Sequence, residues 1–74
     1  MKAKKHIEKG KELFREEKYE AALKEFSAAI ELEPNNFNNW IMRGLCYLAT
    51  DQLGRAMLDF EEGSRRMEAT KCLS

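Results

Sequence analysis

Apolar residues recur at helical spacing in four successive segments of the chain. In the second segment they are Ala22, Leu23, Phe26, Ala29 and Ile30. Spacings of three and four residues place such side chains on one face of a helix. Runs of β-branched residues, which favour strands, are absent, and the chain contains no valine. The pattern therefore predicts four helices and an all-α fold.

The segment EPNNFNN, residues 33–39, separates the second predicted helix from the third. Pro34 is the single proline of the chain, and it disfavours helical geometry at Glu33, so the second helix is expected to end there. The asparagines at 35–36 suit a turn and the cap of the next helix. Trp40, which follows, is expected to pack back across this joint.

Shorter polar links join the helices within each half of the chain. REEKYE, residues 15–20, links the first helix to the second, and ATDQLG, residues 49–54, links the third to the fourth. In the second link, Asp51 is expected to cap the fourth helix. The fourth helix is expected to continue through EATKC, because no proline stands near its end.

The two halves of the chain repeat at an offset of 34 residues. The matched pairs are Ile7 and Ile41, Gly10 and Gly44, Leu13 and Tyr47, Phe14 and Leu48, Ala22 and Ala56, Leu23 and Met57, and Phe26 and Phe60. The sequence thus predicts a single domain, residues 1–74, with one helical hairpin at 3–36, a second at 37–70 and a C-terminal tail at 71–74.

This repeat resembles the tetratricopeptide repeat family, whose 34-residue unit follows W-x₂-L-G-x₂-Y, then A-x₃-F, then P. The second half carries Trp40, Gly44, Tyr47, Ala56 and Phe60 at those spacings, and the first half carries Gly10, Ala22, Phe26 and Pro34. The departures are His6 for tryptophan, Leu13 for tyrosine, Lys9 and Arg43 for leucine, and Glu68 for the second proline. The resemblance implies an α-solenoid of two antiparallel helical hairpins, a fragment of a right-handed superhelix.

Small residues on facing helices are expected to let each hairpin close tightly. Gly10 and Gly44 lie on the first helix of each hairpin, and Ala22 and Ala56 on the second. Glycine inside a helix costs about 1 kcal/mol relative to alanine, so its recurrence indicates a packing requirement. Replacing Gly44 by leucine is therefore predicted to destabilise the fold by several times that amount.

The last helix is expected to have a partly polar outer face, as the end of a repeat array requires. At the offset of 34, Ala29, Ile30 and Leu32 are replaced by Gly63, Ser64 and Arg66. Three apolar side chains, Met57, Phe60 and Met67, are expected to leave apolar surface uncovered. Such a surface invites a partner or a second copy of the chain.

The resemblance implies a non-enzymatic protein–protein interaction module, an adaptor or co-chaperone-like scaffold that binds a partner protein or peptide on a concave face. The residues at the family's concave positions are Lys4, Ile7, Glu8, Lys11, Phe14, Arg15, Asn38, Ile41, Met42 and Leu45. One end of this set is basic and the other apolar, which favours an acidic, hydrophobic ligand. Ile41 and Leu45 fit a role in the core better than contact with a ligand, because the third helix is apolar almost all round. The family's clamp for acidic chaperone tails is not expected, because it needs lysine at position 7 and asparagine at positions 11 and 42.

Other functions find little support in the sequence. The alternatives that remain are a self-associating structural unit, which pairs through the last helix to form a homo-oligomer, and a fragment of a longer array. His6, Cys46 and Cys72 are too few and scattered for a zinc site, and neither catalytic residues nor a cofactor are predicted. The 13 basic and 13 acidic residues balance, so nucleic acid is not an expected partner. The longest apolar run, LCYLA, is too short for a membrane span, and two cysteines without a signal sequence predict a cytoplasmic protein.

Overall fold

Four α-helices form the structure, a computed structural model that describes the backbone of residues 2–73 and the side chains of residues 3–68. The helices are α1 (Lys2–Arg15), α2 (Tyr19–Leu32), α3 (Phe37–Ala49) and α4 (Leu53–Leu73). Each helix packs against the next one along the chain. The predicted fold class, all-α and built of two helical hairpins, is confirmed. Helix α4 continues through EATKC, as expected from the absence of a proline there, and it reaches Leu73, within the segment 71–74 that the sequence assigns to a tail.

The turn inside each hairpin is built in the same way. Glu17 and Asp51, which are related by the 34-residue offset, both have a positive φ, of 62° and 61°. The left-handed conformation at this point ends the preceding helix. In the second turn the Gln52 amide donates to the Tyr47 carbonyl at 2.8 Å, and the Gln52 carbonyl accepts the first hydrogen bond of α4. Asp51 therefore ends α3, and the expectation that it caps α4 is wrong.

The joint between the hairpins has the predicted arrangement. Helix α2 ends at Leu32, just before Pro34. Asn36 caps α3 because its side-chain oxygen accepts a hydrogen bond from the Asn38 amide at 3.2 Å. The indole of Trp40 donates to the Pro34 carbonyl at 2.9 Å, so the tryptophan packs back across the joint as expected.

The core lies where the two hairpins meet. Ala22 and Phe26 of α2 and Cys46 of α3 are fully buried and contact one another. Half-buried side chains from α1, α2 and α3 pack around them: Leu13, Phe14, Leu23 and Met42. Because the core draws on both hairpins, neither hairpin buries it alone, as is typical of stacked repeats.

The shared position of Gly10 and Gly44 in the two hairpins has a direct steric cause. A Cβ atom at Gly10 would lie 2.8 Å from Cζ of Phe26, and one at Gly44 would lie 2.7 Å from Cε1 of Phe60. The predicted close approach is present: each glycine accommodates a phenyl ring, and a Cβ atom at Gly44 would also lie 3.2 Å from the Ala56 carbonyl oxygen. Phe60 is consequently half-buried, and the expectation that it is uncovered is wrong.

Helix α4 is covered on one side only. Met57 and Met67 are exposed, by 66% and 37%, as the sequence predicts. Gly63 is instead buried against Ile41 of α3, so this substitution serves packing inside the hairpin and does not make the outer face polar. Within the described part of the chain, no helix combines the length and apolar character needed to cross a membrane.

Candidate functional site

Two adjoining cavities lie between α1 and α3. The first, of about 370 Å³, is lined by Ile7, Lys11, Asn36, Asn38, Asn39 and Met42. The second, of about 320 Å³, is lined by Lys11, Phe14, Arg15 and Met42. Because Lys11 and Met42 belong to both, the cavities form one continuous depression, here named the α1–α3 groove.

Six of the ten residues proposed from the sequence line this groove: Ile7, Lys11, Phe14, Arg15, Asn38 and Met42. Lys4 and Glu8 are exposed on α1 but do not line either cavity. Leu45 is half-buried and also lies outside both. Ile41 packs towards α4, since a Cβ atom at Gly63 would be only 2.7 Å from its Cδ1.

Two lining residues, Asn36 and Asn39, are absent from the set proposed from the sequence. The sequence predicts Asn36 only as a turn and cap residue, whereas in the structure it also lines the first cavity together with Ile7 and Lys11 of α1. Asn39 corresponds to Lys5 at the 34-residue offset, and Lys5 is exposed. A repeat pattern alone therefore gives no sign that Asn39 is buried, because the matching position of the first hairpin is exposed.

The groove combines positive charge with an apolar lining. Lys11 and Arg15 are exposed on α1, whereas the Ile7, Phe14 and Met42 side chains are half-buried. The ring of Phe14 is held in an edge-on contact with Tyr19, with 5.2 Å between centroids. Cations beside a fixed apolar surface suit a ligand that carries both carboxylates and apolar side chains.

At its polar end the groove meets the start of α3. Both ends of the Asn36 side-chain amide have hydrogen-bond partners there. Its Oδ1 accepts from the Asn38 backbone amide and so caps α3, and its Nδ2 donates to Glu33 Oε1 at 3.3 Å. The Asn39 side chain is 1% exposed, and its Nδ2 has no hydrogen-bond acceptor among the described residues. Helix N-termini also carry a partial positive charge.

A buried ion pair fixes α3 from the opposite side. Arg43 donates to both oxygens of Asp59, from Nε at 2.8 Å and from Nη2 at 2.9 Å. It also donates to Ser27 Oγ on α2 at 3.3 Å, and its guanidinium lies 5.2 Å from the Trp40 ring centroid. The hydrogen bond to Asp59 raises the pKa of Arg43, which keeps the guanidinium charged. These contacts hold the helix that forms one wall of the groove.

The thiol of Cys46 on α3 is buried and unreactive near neutral pH. Cys46 is a free thiol with no exposed surface. Burial raises its pKa to about 11, so the thiol stays protonated near neutral pH. Among the side chains of residues 3–68, no group of three His, Cys, Asp or Glu residues is arranged to hold a metal ion.

Comparison with known proteins places the repeat in a family. Residues 10–51 match the family model described as TPR repeat, the tetratricopeptide repeat. No curated protein and no solved structure matches the chain. The matched segment runs from the middle of α1 to the turn after α3, and it includes the joint and the core cysteine. It covers more than half of the 74 residues, and so the chain belongs to the TPR repeat family.

Proposed function

We propose that this protein binds an acidic, hydrophobic peptide segment of a partner protein in the α1–α3 groove and acts as a non-enzymatic adaptor or scaffold. TPR repeats generally mediate protein–protein interaction, and the observation that carries the finer proposal is the composition of the groove. Lys11 and Arg15 stand beside the half-buried Ile7, Phe14 and Met42 in one continuous depression. The buried free thiol of Cys46 fits a reducing compartment, and we place this function in the cytoplasm.

Recognition of such a ligand divides between two kinds of contact. Apolar side chains of the peptide would pack against Ile7, Phe14 and Met42, at about 25 cal/mol for each Å² removed from water. Carboxylates of the peptide would pair with Lys11 and Arg15 in charge-assisted hydrogen bonds. Because both cations are exposed, the charged contacts add mainly specificity and association rate, and they weaken as salt concentration rises.

The test is a peptide titration followed by fluorescence anisotropy. Labelled peptides that mix leucine or phenylalanine with glutamate are titrated with the wild type and with Lys11→Glu/Arg15→Glu. We expect the double variant to bind at least about tenfold more weakly, which corresponds to about 1.4 kcal/mol. Lys5→Glu/Lys24→Glu, which changes the net charge equally outside the groove, is expected to bind like the wild type. Equal affinity for all three proteins would remove Lys11 and Arg15 from the site.

A second candidate function is self-association through α4. Leu53, Met57 and Leu58 are exposed by 57%, 66% and 66%. Met57 lies between the other two around the helix at 100° per residue, so the three form one stripe. At the 34-residue offset Met57 matches Leu23, which packs against the core because α3 covers that face of α2. The same face of α4 has no helix over it in the described chain.

The chemistry of α1 favours one arrangement of two copies. In a head-to-tail stack, α1 of a second copy would cover α4 as α3 covers α2. The residues of α1 that match Met42 and Cys46 are Glu8 and Glu12, so this face is charged and exposed. Burying unpaired charges against leucine and methionine is unfavourable. A symmetric pairing of α4 with α4 avoids that burial.

Sedimentation equilibrium between 10 µM and 1 mM tests this candidate. The wild type is expected to gain mass with concentration, and Met57→Glu/Leu58→Glu is expected to remain monomeric because two charges would enter the interface. Lys24→Glu, at the position of α2 that matches Leu58, serves as the control and is expected to associate like the wild type. A constant monomer mass for the wild type over the whole range would exclude the symmetric pair.

A further inference from the structure

We infer that two copies of the chain pair through the first two turns of α4 in an antiparallel crossing, in which Met57 of each copy packs on Gly54 of the other. The inference rests on the proposed self-association through α4 and specifies its register and the residue that determines it. It depends on Gly54, which no contact inside the described chain explains, and on the apolar side chains beside it.

Gly54 is the residue that requires an explanation. It lies in the first turn of α4, and glycine stabilises a helix less than alanine does. A Cβ atom at this position would meet nothing within 4 Å, so packing inside the described chain does not require a glycine. No glycine of the described chain has a positive φ, so backbone geometry does not require one at this position either.

The other three glycines of the chain share one feature. Each lies in a helix and receives a large side chain from the neighbouring helix. The contacts are Phe26 on Gly10, Phe60 on Gly44 and Ile41 on Gly63, and an added Cβ atom would lie within 2.8 Å of the side chain in each case. In this fold a helical glycine is therefore the point where an apolar side chain of another helix packs against the backbone. Gly54 presents the same kind of surface on the exposed side of α4.

Exposed apolar side chains surround Gly54. Around the helix it lies between Met57 and Leu58, which are both 66% exposed, and it follows Leu53, which is 57% exposed. None of these four residues is charged, so pairing this surface with its own copy buries no ion. Met57 is the side chain best suited to pack on the glycine, because methionine is long and flexible and fills irregular gaps.

The order of large and small residues selects the antiparallel crossing. In a symmetric contact, residue i meets residue j and residue j meets residue i. When Met57 meets Gly54 of the second copy, Leu53 meets Leu58 in the same register, because both pairs are centred on the same point of the helix. A parallel pair would place Met57 against Met57 and Gly54 against Gly54, which crowds the methionines and leaves a void beside the glycines.

The test changes each side of this contact and measures dimerisation by sedimentation equilibrium. Gly54→Leu is expected to keep the fold and to weaken dimerisation at least about tenfold, because leucine occupies the space that Met57 needs. Met57→Ala is expected to weaken it as well. Gly54→Leu/Met57→Ala exchanges the large and the small residue and should recover most of the loss in Gly54→Leu. Glu20→Leu, at the matching position of α2, is the control and should associate like the wild type.

A disulfide assay measures the orientation of the two helices. In a Cys72→Ser background, Leu53→Cys and Leu58→Cys chains are mixed and oxidised with copper phenanthroline. We expect the mixed disulfide to exceed its statistical yield, because positions 53 and 58 face each other in the antiparallel crossing. Statistical yields, or dimerisation of Gly54→Leu as tight as that of the wild type, would overturn this register and leave self-association through α4 in place. A wild type that remains monomeric would overturn the self-association and the register together.

Discussion

The two hairpins carry a carboxylate at the same position of their second helix, but the two carboxylates pair with different residues and differ in burial. Glu25 on α2 and Asp59 on α4 are related by the 34-residue offset. His6 Nδ1 donates to Glu25 at 2.7 Å, and these side chains are 39% and 24% exposed. Asp59 instead accepts two hydrogen bonds from Arg43, and the exposed fractions are 6% for Asp59 and 20% for Arg43. One pair is open to water and the other is largely shielded from it.

The neighbouring side chains explain the difference. In the second hairpin, the guanidinium of Arg43 lies 5.2 Å from the Trp40 ring centroid and 5.8 Å from that of Tyr47. The matching positions of the first hairpin hold a histidine and a leucine, which offer the cation no such pair of rings. Lys9, at the position of Arg43, is exposed. A planar guanidinium can stack and form a bidentate pair at once, which an ammonium cannot. The same backbone position therefore supports a weak surface pair or a strong buried one.

The largest expected effect comes from breaking the buried pair. Asp59→Ala should lower the free energy of unfolding by about 3–5 kcal/mol, because it leaves the Arg43 charge inside the protein without its partner. Glu25→Ala removes the matching carboxylate of the first hairpin and should cost less than about 1 kcal/mol, since that pair is partly exposed. Urea unfolding monitored by circular dichroism measures both values.

The double variant Asp59→Ala/Arg43→Met serves as the control for this comparison. It removes the Arg43 charge that Asp59→Ala leaves without a partner, so we expect it to recover a substantial part of the lost stability. If Asp59→Ala is unfolded in water, trimethylamine N-oxide shifts all four proteins back into the measurable range. Similar losses from Asp59→Ala and Glu25→Ala would show that burial does not distinguish the two pairs.

The glycines of the two hairpins give the next largest effect. Leucine at Gly10 or Gly44 would overlap a phenyl ring, and we expect each substitution to cost about 3 kcal/mol. The two losses should be similar. Phe26 beside Gly10 is fully buried, whereas Phe60 beside Gly44 is half-buried and can tilt outward, but the Ala56 carbonyl, 3.2 Å from a Cβ atom at Gly44, belongs to the backbone and cannot. A Cβ atom at Gly54 meets nothing within 4 Å, so Gly54→Leu is the matched control. An unchanged thermal midpoint for Gly10→Leu would exclude this packing role.

A third comparison concerns the first helix of each hairpin, on the face where a preceding helix would pack. Cys46 of α3 is buried against α2, whereas Glu12, at the same position of α1, is exposed because no described helix precedes α1. In a Cys72→Ser background, Cys46 should react with Ellman's reagent at pH 8 at least about a hundredfold more slowly than in urea. Burial raises its pKa to about 11, so little thiolate forms at this pH.

The matched variant moves the thiol to the first hairpin. Glu12→Cys/Cys46→Ala, again with Cys72→Ser, should react at nearly the rate of the urea-unfolded chain, because position 12 is exposed. Fast labelling of Cys46 in the folded protein would contradict its place in the core. It would also indicate that the two hairpins separate on the timescale of the reaction, which the stacking in the core opposes.

These comparisons also show what the sequence could and could not predict. The four helices, the cap at Asn36 and the joint at Pro34 follow from spacing and turn chemistry, which act locally. Six of the ten proposed site residues line the groove because the register of α1 and α3 determines which face they share. The burial of Asn39 and the packing of Ile41 against Gly63 depend on how closely neighbouring helices approach each other. The periodicity of residues within one helix does not predict that interhelical distance.

The role of Asp51 was missed for a related reason. Aspartate is a common helix cap, and its position before α4 satisfies that pattern. The structure uses it to end α3 in the left-handed conformation, as Glu17 does in the first hairpin. The repeat offset links Asp51 to Glu17, a residue that seldom caps a helix, so comparing the two halves would have favoured a shared turn over a cap.

The smallest expected effect concerns Gly54 at the start of α4, where the two hairpins carry different residues and no contact within the described chain explains the glycine. Gly54 of α4 matches Glu20 of α2, which is an acidic residue in the first turn of its helix. Gly54→Glu should stabilise the fold by about 1 kcal/mol, from the better helix propensity of glutamate and its interaction with the helix dipole. Gly54→Ala should supply only the first contribution, about 0.5–1 kcal/mol, and its gain should not vary with salt. Thermal midpoints at 20 mM and 500 mM salt separate the two, because only the dipole contribution is screened. Loss of stability in Gly54→Ala would contradict helix propensity as the governing contribution, because the added Cβ atom meets nothing within 4 Å.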